Sequence, residues 1–165
     1  NALRELALRK VATTVEQDLE EYMRDHAIEA AWPAADRVIV AVDDGADAQR
    51  VIRRAWRLAS HLQTDLIAAF IETPAWAGSG PEARGRLEEN LRFASDLGAV
   101  IHRLQGSDVA KELVKLSHDK NAGSSVAGRP RGGLIQRLSG RSVVDRLVRE
   151  AKDVDVYMVA SGDEE

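Results

Sequence analysis

The sequence predicts a three-layer α/β/α domain built on a five-stranded parallel sheet. Three observations carry this. Five short apolar runs stand between residues 37 and 160, each bounded by Gly, Pro or Asp. Amphipathic helical patterns separate every pair of them. Such spacers are long enough for crossovers between parallel strands, which are then covered on both faces. At 165 residues the chain is sized for one such domain plus an appendage.

The elements follow in order. Residues 3–24 read as an extra N-terminal helix, because Leu3, Leu6, Ala7, Val11, Val15, Leu19, Tyr22 and Met23 recur at steps of three and four. That stripe must pack on something, either its own domain or a neighbouring domain or second copy. Residues 26–36 read as a linker, since Pro33 removes a donor and turns Trp32 away from helical backbone. The opening in mid-pattern leads us to expect a piece of a longer protein, with residues 1–36 the end of a preceding region.

The main domain is expected over 37–160. Its first strand is the run Val38-Ile39-Val40-Ala41-Val42, closed by Asp43-Asp44-Gly45. Asp47 is placed to cap a helix ending near Leu62, with Val51, Ile52, Ala55, Leu58, Ala59 and Leu62 inward. Residues 65–71 form the second strand. Residues 75–81 read as a loop with an exposed Trp76, and Pro81 opens a helix that Gly98 stops. Residues 99–104 form the third strand, and Asp108 opens a helix ended by Asn121-Ala122-Gly123. Residues 124–128 are the fourth strand and the least apolar one. A helix from about Ser142 to Ala151, a fifth strand over 154–160 and an acidic tail over 161–165 complete the chain.

Composition closes off several functions. The net charge of −4 argues against a nucleic-acid partner. The absence of cysteine removes disulfides, thiolate metal sites and a Cys nucleophile. His26, His61, His102 and His118 fall on different elements without metal-ligand spacing. No apolar run has the roughly 20 residues of a membrane helix, so no direct membrane insertion is expected. Ser139-Gly140 lacks a nucleophile elbow, and no paired-carboxylate site is visible. No phosphoacceptor-His helix or ATP-lid glycine boxes occur in this chain.

The chemistry is expected where open parallel sheets bind ligands, beyond the carboxyl ends of the strands at the point where strand order reverses. With the common order 3-2-1-4-5, that crevice lies between strands one and four. One wall is Val42, Asp43, Asp44 and Gly45. The other is the stretch after strand four, with Gly128, Arg129, Pro130, Arg131, Gly132, Gly133, Gly140, Arg141 and Ser142, leading into Val143 and Val144. Glycines let backbone approach a phosphate, a helix N-terminus favours negative charge, and arginines add charged hydrogen bonds. The alternative for this loop is a basic surface that meets another domain.

The sheet order and the late Gly-rich loop resemble the universal stress protein family, whose fold is adenine nucleotide alpha hydrolase-like. Its nucleotide-binding members carry Gly-x2-Gly-x9-Gly-Ser/Thr after strand four. More narrowly, the chain resembles the universal-stress-protein-like domain of a family of potassium-sensing histidine kinases. The segments that carry this are Leu3-Arg4-Glu5-Leu6-Ala7-Leu8-Arg9, Trp32-Pro33-Ala34-Ala35-Asp36-Arg37, Phe70-Ile71-Glu72-Thr73-Pro74, Glu88-Glu89-Asn90-Leu91-Arg92-Phe93-Ala94, Gly128-Arg129-Pro130 and Ser142-Val143-Val144-Asp145-Arg146-Leu147. The resemblance implies a cytoplasmic regulatory domain of a membrane-bound two-component sensor kinase that controls potassium uptake, with no catalysis of its own. It implies a nucleotide or other phosphate-bearing ligand, ATP or ADP ahead of cyclic di-AMP. Its implied partners are other domains of the kinase or a second copy.

The sequence departs from both binding patterns. From Gly128, the second and third motif glycines fall on Arg131 and Arg141, with Gly132 and Gly140 one residue off. The Ser-x-Ser that binds cyclic di-AMP in relatives stands here as Asp43-Asp44-Gly45, and the strand-two motif keeps only Ala68 and the aromatic Phe70. Two further readings stay open: a ligand-free scaffold for dimer or interdomain contacts, and a stand-alone ATP-binding stress protein.

Overall fold

The computed structural model describes residues 2–4, 7, 10, 37–129 and 143–160. Residues 2–4, 7 and 10 are helical and exposed. From residue 37 the order is β1 (Val38–Ala41), α1 (Ala48–Leu62), β2 (Leu66–Glu72), α2 (Pro74–Ala77), α3 (Pro81–Asp96), β3 (Val100–Gln105), α4 (Val109–Asp119), β4 (Ser124–Gly128), α5 (Val143–Glu150) and β5 (Asp155–Val159). All five strands are parallel and lie in the order β3-β2-β1-β4-β5. The expected architecture is therefore the observed one.

The central strand explains the layering. Successive side chains of β1 point to opposite faces. Val38, Val40 and Val42 pack with Val51, Ile52 and Ala55 of α1 and Leu87, Leu91 and Ala94 of α3. Ile39 packs on the other face with Leu113 and Leu116 of α4 and Leu147 of α5. Because both faces are buried, the strand reads as a continuous apolar run rather than an alternating one.

Strand β4 lies inside the sheet, between β1 and β5, despite Ser124 and Ser125, both buried. The Ser125 hydroxyl lies 3.3 Å from that of Ser117, which donates to the Leu113 carbonyl at 2.9 Å. Those contacts satisfy the Ser117 and Ser125 hydroxyls, which would otherwise be costly to bury. Helix ends follow the expected chemistry in several places. Asp108 accepts from the Lys111 amide and pairs with Arg146, which fastens α4 to α5. Gly98 and Asn121 take left-handed backbone after α3 and α4.

Three expectations are corrected. Residues 74–77 form a short helix rather than a loop, capped by Thr73, whose hydroxyl accepts from the Trp76 amide at 3.3 Å. This turns Trp76 inward, so it is half-buried and meets Phe70 edge-on at 5.1 Å between ring centroids. Leu62 is exposed rather than inward. Asp47 occupies the N-cap position of α1, but its side chain makes no capping hydrogen bond.

On edge strand β3, burial holds the His102 imidazole below its usual range, and the positive charge of Lys120 adds to the effect. The unfolded chain therefore takes up that proton first, so stability falls as pH drops below the ordinary value of about 6.5. We expect the melting temperature of the parent chain to fall more between pH 7 and pH 5 than that of His102→Gln. Parallel pH profiles for the two would show that this histidine is not the cause.

Candidate functional site

Strands β1 and β4 are neighbours and parallel, with Val40 opposite Val126. Their carboxyl ends therefore deliver the Asp43–Gly45 turn and Gly128–Arg129 to one edge of the sheet. Val42 is buried, and its amide donates to the Ala69 carbonyl at 2.9 Å, which extends β1 toward the crevice.

The turn after β1 is built by its own first acid. The Asp43 carboxylate accepts from the Gly45 amide at 2.8 Å, a side-chain mimic of a backbone turn. Helix α3 then clamps the turn from outside. The buried Asn90 amide group donates to the Asp43 carbonyl at 2.9 Å and to the Gly45 carbonyl at 3.3 Å. Arg86 donates to the Asp44 carbonyl and to its carboxylate, each at 3.1 Å. It also pairs with Glu82 one turn back, at 3.0 Å. Asp44 is thus a paired charge, and Asp43 is committed to the turn. The pair of acids presents a smaller repulsive field to an anion than the sequence implies.

On the other wall, Gly128 passes close to α1. A Cβ there would lie 3.1 Å from Val51 Cγ2, so the glycine allows strand and helix to approach. The Arg129 amide continues the ladder by donating to the Val159 carbonyl at 3.0 Å, while its side chain is exposed. Pro130, Arg131, Gly132, Gly133, Gly140, Arg141 and Ser142 lie outside the described residues. Val143 and Val144 are the first two residues of α5. Ala68 and Phe70 are buried in the core on the α1 side of β2, in register with Ile101 and Arg103 of β3. Among the described residues, the crevice therefore brings together Asp43, Asp44, Gly45, Gly128 and Arg129.

Asn90 and Arg86 were not expected as part of this site. Asn90 did leave a signal. It stands between Leu87 and Leu91 on the buried stripe of α3, and a lone amide at such a position needs buried partners.

The fold and its strand-end crevice define a universal-stress-protein-like α/β domain. A universal stress protein solved in complex with cAMP superposes with a TM-score of 0.61 at 26% identity, covering 78% of this chain and 98% of that one. One from Archaeoglobus fulgidus gives 0.55 at 21% identity, with the same coverage. No family model matches the chain. Within this class the chain belongs to the KdpD sensor proteins, as their universal-stress-protein-like domain. It is 36% identical to the Sensor protein KdpD of Mycobacterium tuberculosis (strain CDC 1551 / Oshkosh) over 159 residues, which is 96% of this chain. The corresponding identity to the Escherichia coli K12 protein is 31% over 159 residues. The chain spans 18% of the length of these relatives. Among the described residues no helix is long and apolar enough to cross a membrane.

Proposed function

We propose that this is a regulatory domain of a KdpD-type sensor histidine kinase, on the cytoplasmic side of the membrane, in a system that controls potassium uptake. Its crevice takes a nucleotide or another phosphate-bearing anion, and occupancy tunes the balance of kinase and phosphatase output. In this reading residues 37–160 are the binding domain, residues 1–36 connect it to the preceding sensor region, and 161–165 are a tail. The domain catalyses nothing itself, and the histidine kinase chemistry belongs to other parts of the longer protein.

The observation that carries the reading is the convergence of a clamped Asp turn and a close-packed Gly128 at the point where strand order reverses. The neighbour solved with cAMP supports an adenine nucleotide as the ligand class. Val42 and the Asp43–Gly45 turn would meet the nucleoside. Gly128 through Gly133, Gly140, Arg141 and Ser142 would meet the phosphates at the entry to α5, where a helix N-terminus favours an anion. Arg131 and Arg141 would supply charge where relatives rely on glycine backbone, and Arg129 would add to it. ATP and ADP rank ahead of cyclic di-AMP, because Asp43 and Asp44 replace the serines that hold the cyclic dinucleotide.

Thermal shift of the full chain with ATP, ADP, cyclic di-AMP and cyclic di-GMP tests this. At a hundredfold excess over Kd a true ligand adds about 2.7 kcal/mol of stability. The combined change Arg129→Ala and Arg131→Ala should abolish most of that gain. No shift with any of the four would remove the nucleotide reading and leave a ligand-free scaffold. A shift untouched by the double change would place binding elsewhere.

A further inference from the structure

The sheet is unequally covered. Helices α1 and α3 share the face of Val38, Val40 and Val126, whereas α4 and α5 lie on the face of Ile39. Among the described residues, the helix packed on β5 is α5, and it lies on the Ile39 side. On the α1 side, β5 is left beside a groove of about 310 Å³. Arg50, Arg54 and Leu58 of α1 form one wall, Val126 contributes from β4, and Tyr157 and Val159 of β5 form the other side. Tyr157 is 44% exposed. The groove is therefore apolar within and basic along one rim. Helix α1 carries Arg50, Arg53, Arg54 and Arg57 and no acid. Arg53 stacks over the Phe93 ring, at 5.2 Å to the centroid, which leaves Arg50 and Arg54 at the groove.

We propose that this groove is the docking site for the chain's own acidic stretch, residues 15–23, taken up as an amphipathic helix. The stretch has complementary chemistry. Val15, Leu19, Tyr22 and Met23 fall on one helical stripe, and Glu16, Asp18, Glu20 and Glu21 occupy the rest except Gln17. At 100° per residue, Glu16 and Asp18 lie on the two borders of that stripe. An apolar stripe with acidic borders matches an apolar groove with an arginine rim.

Reach does not limit the contact. The 13 residue steps from Arg24 to Arg37 span up to about 43 Å when extended, several times the radius of gyration of a domain this size, roughly 14 Å. Tethering also gives the segment an effective concentration in the millimolar range, well above that of a free competitor. A second copy placed symmetrically in the groove would face the Arg50 and Arg54 rim with an identical one, and like charges would oppose it. The inference does not depend on nucleotide binding.

Because the chain has no cysteine, His61→Cys, exposed one turn beyond Leu58 and outside the arginine rim, carries a single nitroxide in an otherwise full-length chain. The expected result is selective loss of amide NMR intensity over residues 15–23, restored on reduction of the label. Introducing Leu19→Glu and Tyr22→Glu together should abolish that loss while the amide spectrum of residues 37–128 stays dispersed. Intensity unchanged over 15–23 overturns the proposal. So does a loss seen only when unlabelled-nitrogen nitroxide chains are mixed with isotope-labelled ones, which assigns the groove to a second copy.

Discussion

Ile39→Ala should cost about 2–5 kcal/mol, the usual range for truncating a buried isoleucine. Ile39 has no exposed surface and occupies the middle strand of the sheet, opposite Ile67 on one side and Ser125 on the other. Its side chain meets Leu113 and Leu116 of α4 and Leu147 of α5 in one cluster. Truncation leaves a void between a sheet and two helices, whose backbones are fixed by ladder hydrogen bonds and by the Asp108–Arg146 pair, so collapse into it is limited. A domain of ordinary stability holds roughly 5–15 kcal/mol in total, so this one change removes a large share. For a chain of this size the melting temperature should fall by about 10 °C, at roughly 2–4 °C per kcal/mol. Ile39→Val should cost only about 0.5–1.5 kcal/mol. Val100→Ala, at a position 54% exposed on edge strand β3, should stay within about 0.5 kcal/mol of the parent. Equal losses at Ile39 and Val100 in calorimetry would contradict the two-layer core described for β1.

The contrast between Ile39 and Val100 shows what the sequence can carry. Strand positions were legible because a doubly buried strand needs an unbroken apolar run, and 38–42 and 66–71 supply one. Strand order followed from the spacers, since parallel neighbours require crossovers. The limits come from contacts between distant segments. Leu62 keeps the inward phase of the α1 stripe yet is exposed. A 15-residue helix is about 22 Å long, whereas a strand of four residues such as β1 spans about 13 Å, so the last turn overhangs the sheet. Trp76 looked exposed because Pro74 and Gly78 flank it. Its burial depends on Thr73 capping a single turn and aiming the ring at Phe70. At the site, the location was legible from topology. The state of Asp43 and Asp44 was not, because Asn90 and Arg86 reach them from more than forty positions away.

Those two contacts give the second large effect. Asn90→Ala should destabilise the chain by about 1–2 kcal/mol and loosen the Asp43–Gly45 turn in particular. The amide group of Asn90 donates to two carbonyls of that turn; removing it leaves the Asp43 carbonyl without that donor, while the Gly45 carbonyl keeps the Ala48 amide at 3.1 Å. A carbonyl left unpaired costs about 1–3 kcal/mol, the lower part of which applies to Asp43, near solvent, and the weaker Gly45 contact adds to it. Asn90→Asp should be worse, because it sets a buried carboxylate facing two carbonyl oxygens with no proton to offer. Arg86 supplies the comparison. It reaches the same turn, but its side chain is exposed, so Arg86→Ala should cost less than about 1 kcal/mol. Amide exchange separates local from global effects. The Gly45 amide, held by the Asp43 carboxylate, should exchange faster in Asn90→Ala by more than the overall loss of stability accounts for. The amides of β1 should follow the global value. If Asn90→Ala and Arg86→Ala cost the same, or if Gly45 exchange merely tracks global unfolding, the buried amide is not what rigidifies this wall of the crevice. A ligand that needs the turn preformed would then gain nothing from α3. If the prediction holds, Asn90→Ala should also weaken any crevice ligand, because binding must first restore the turn.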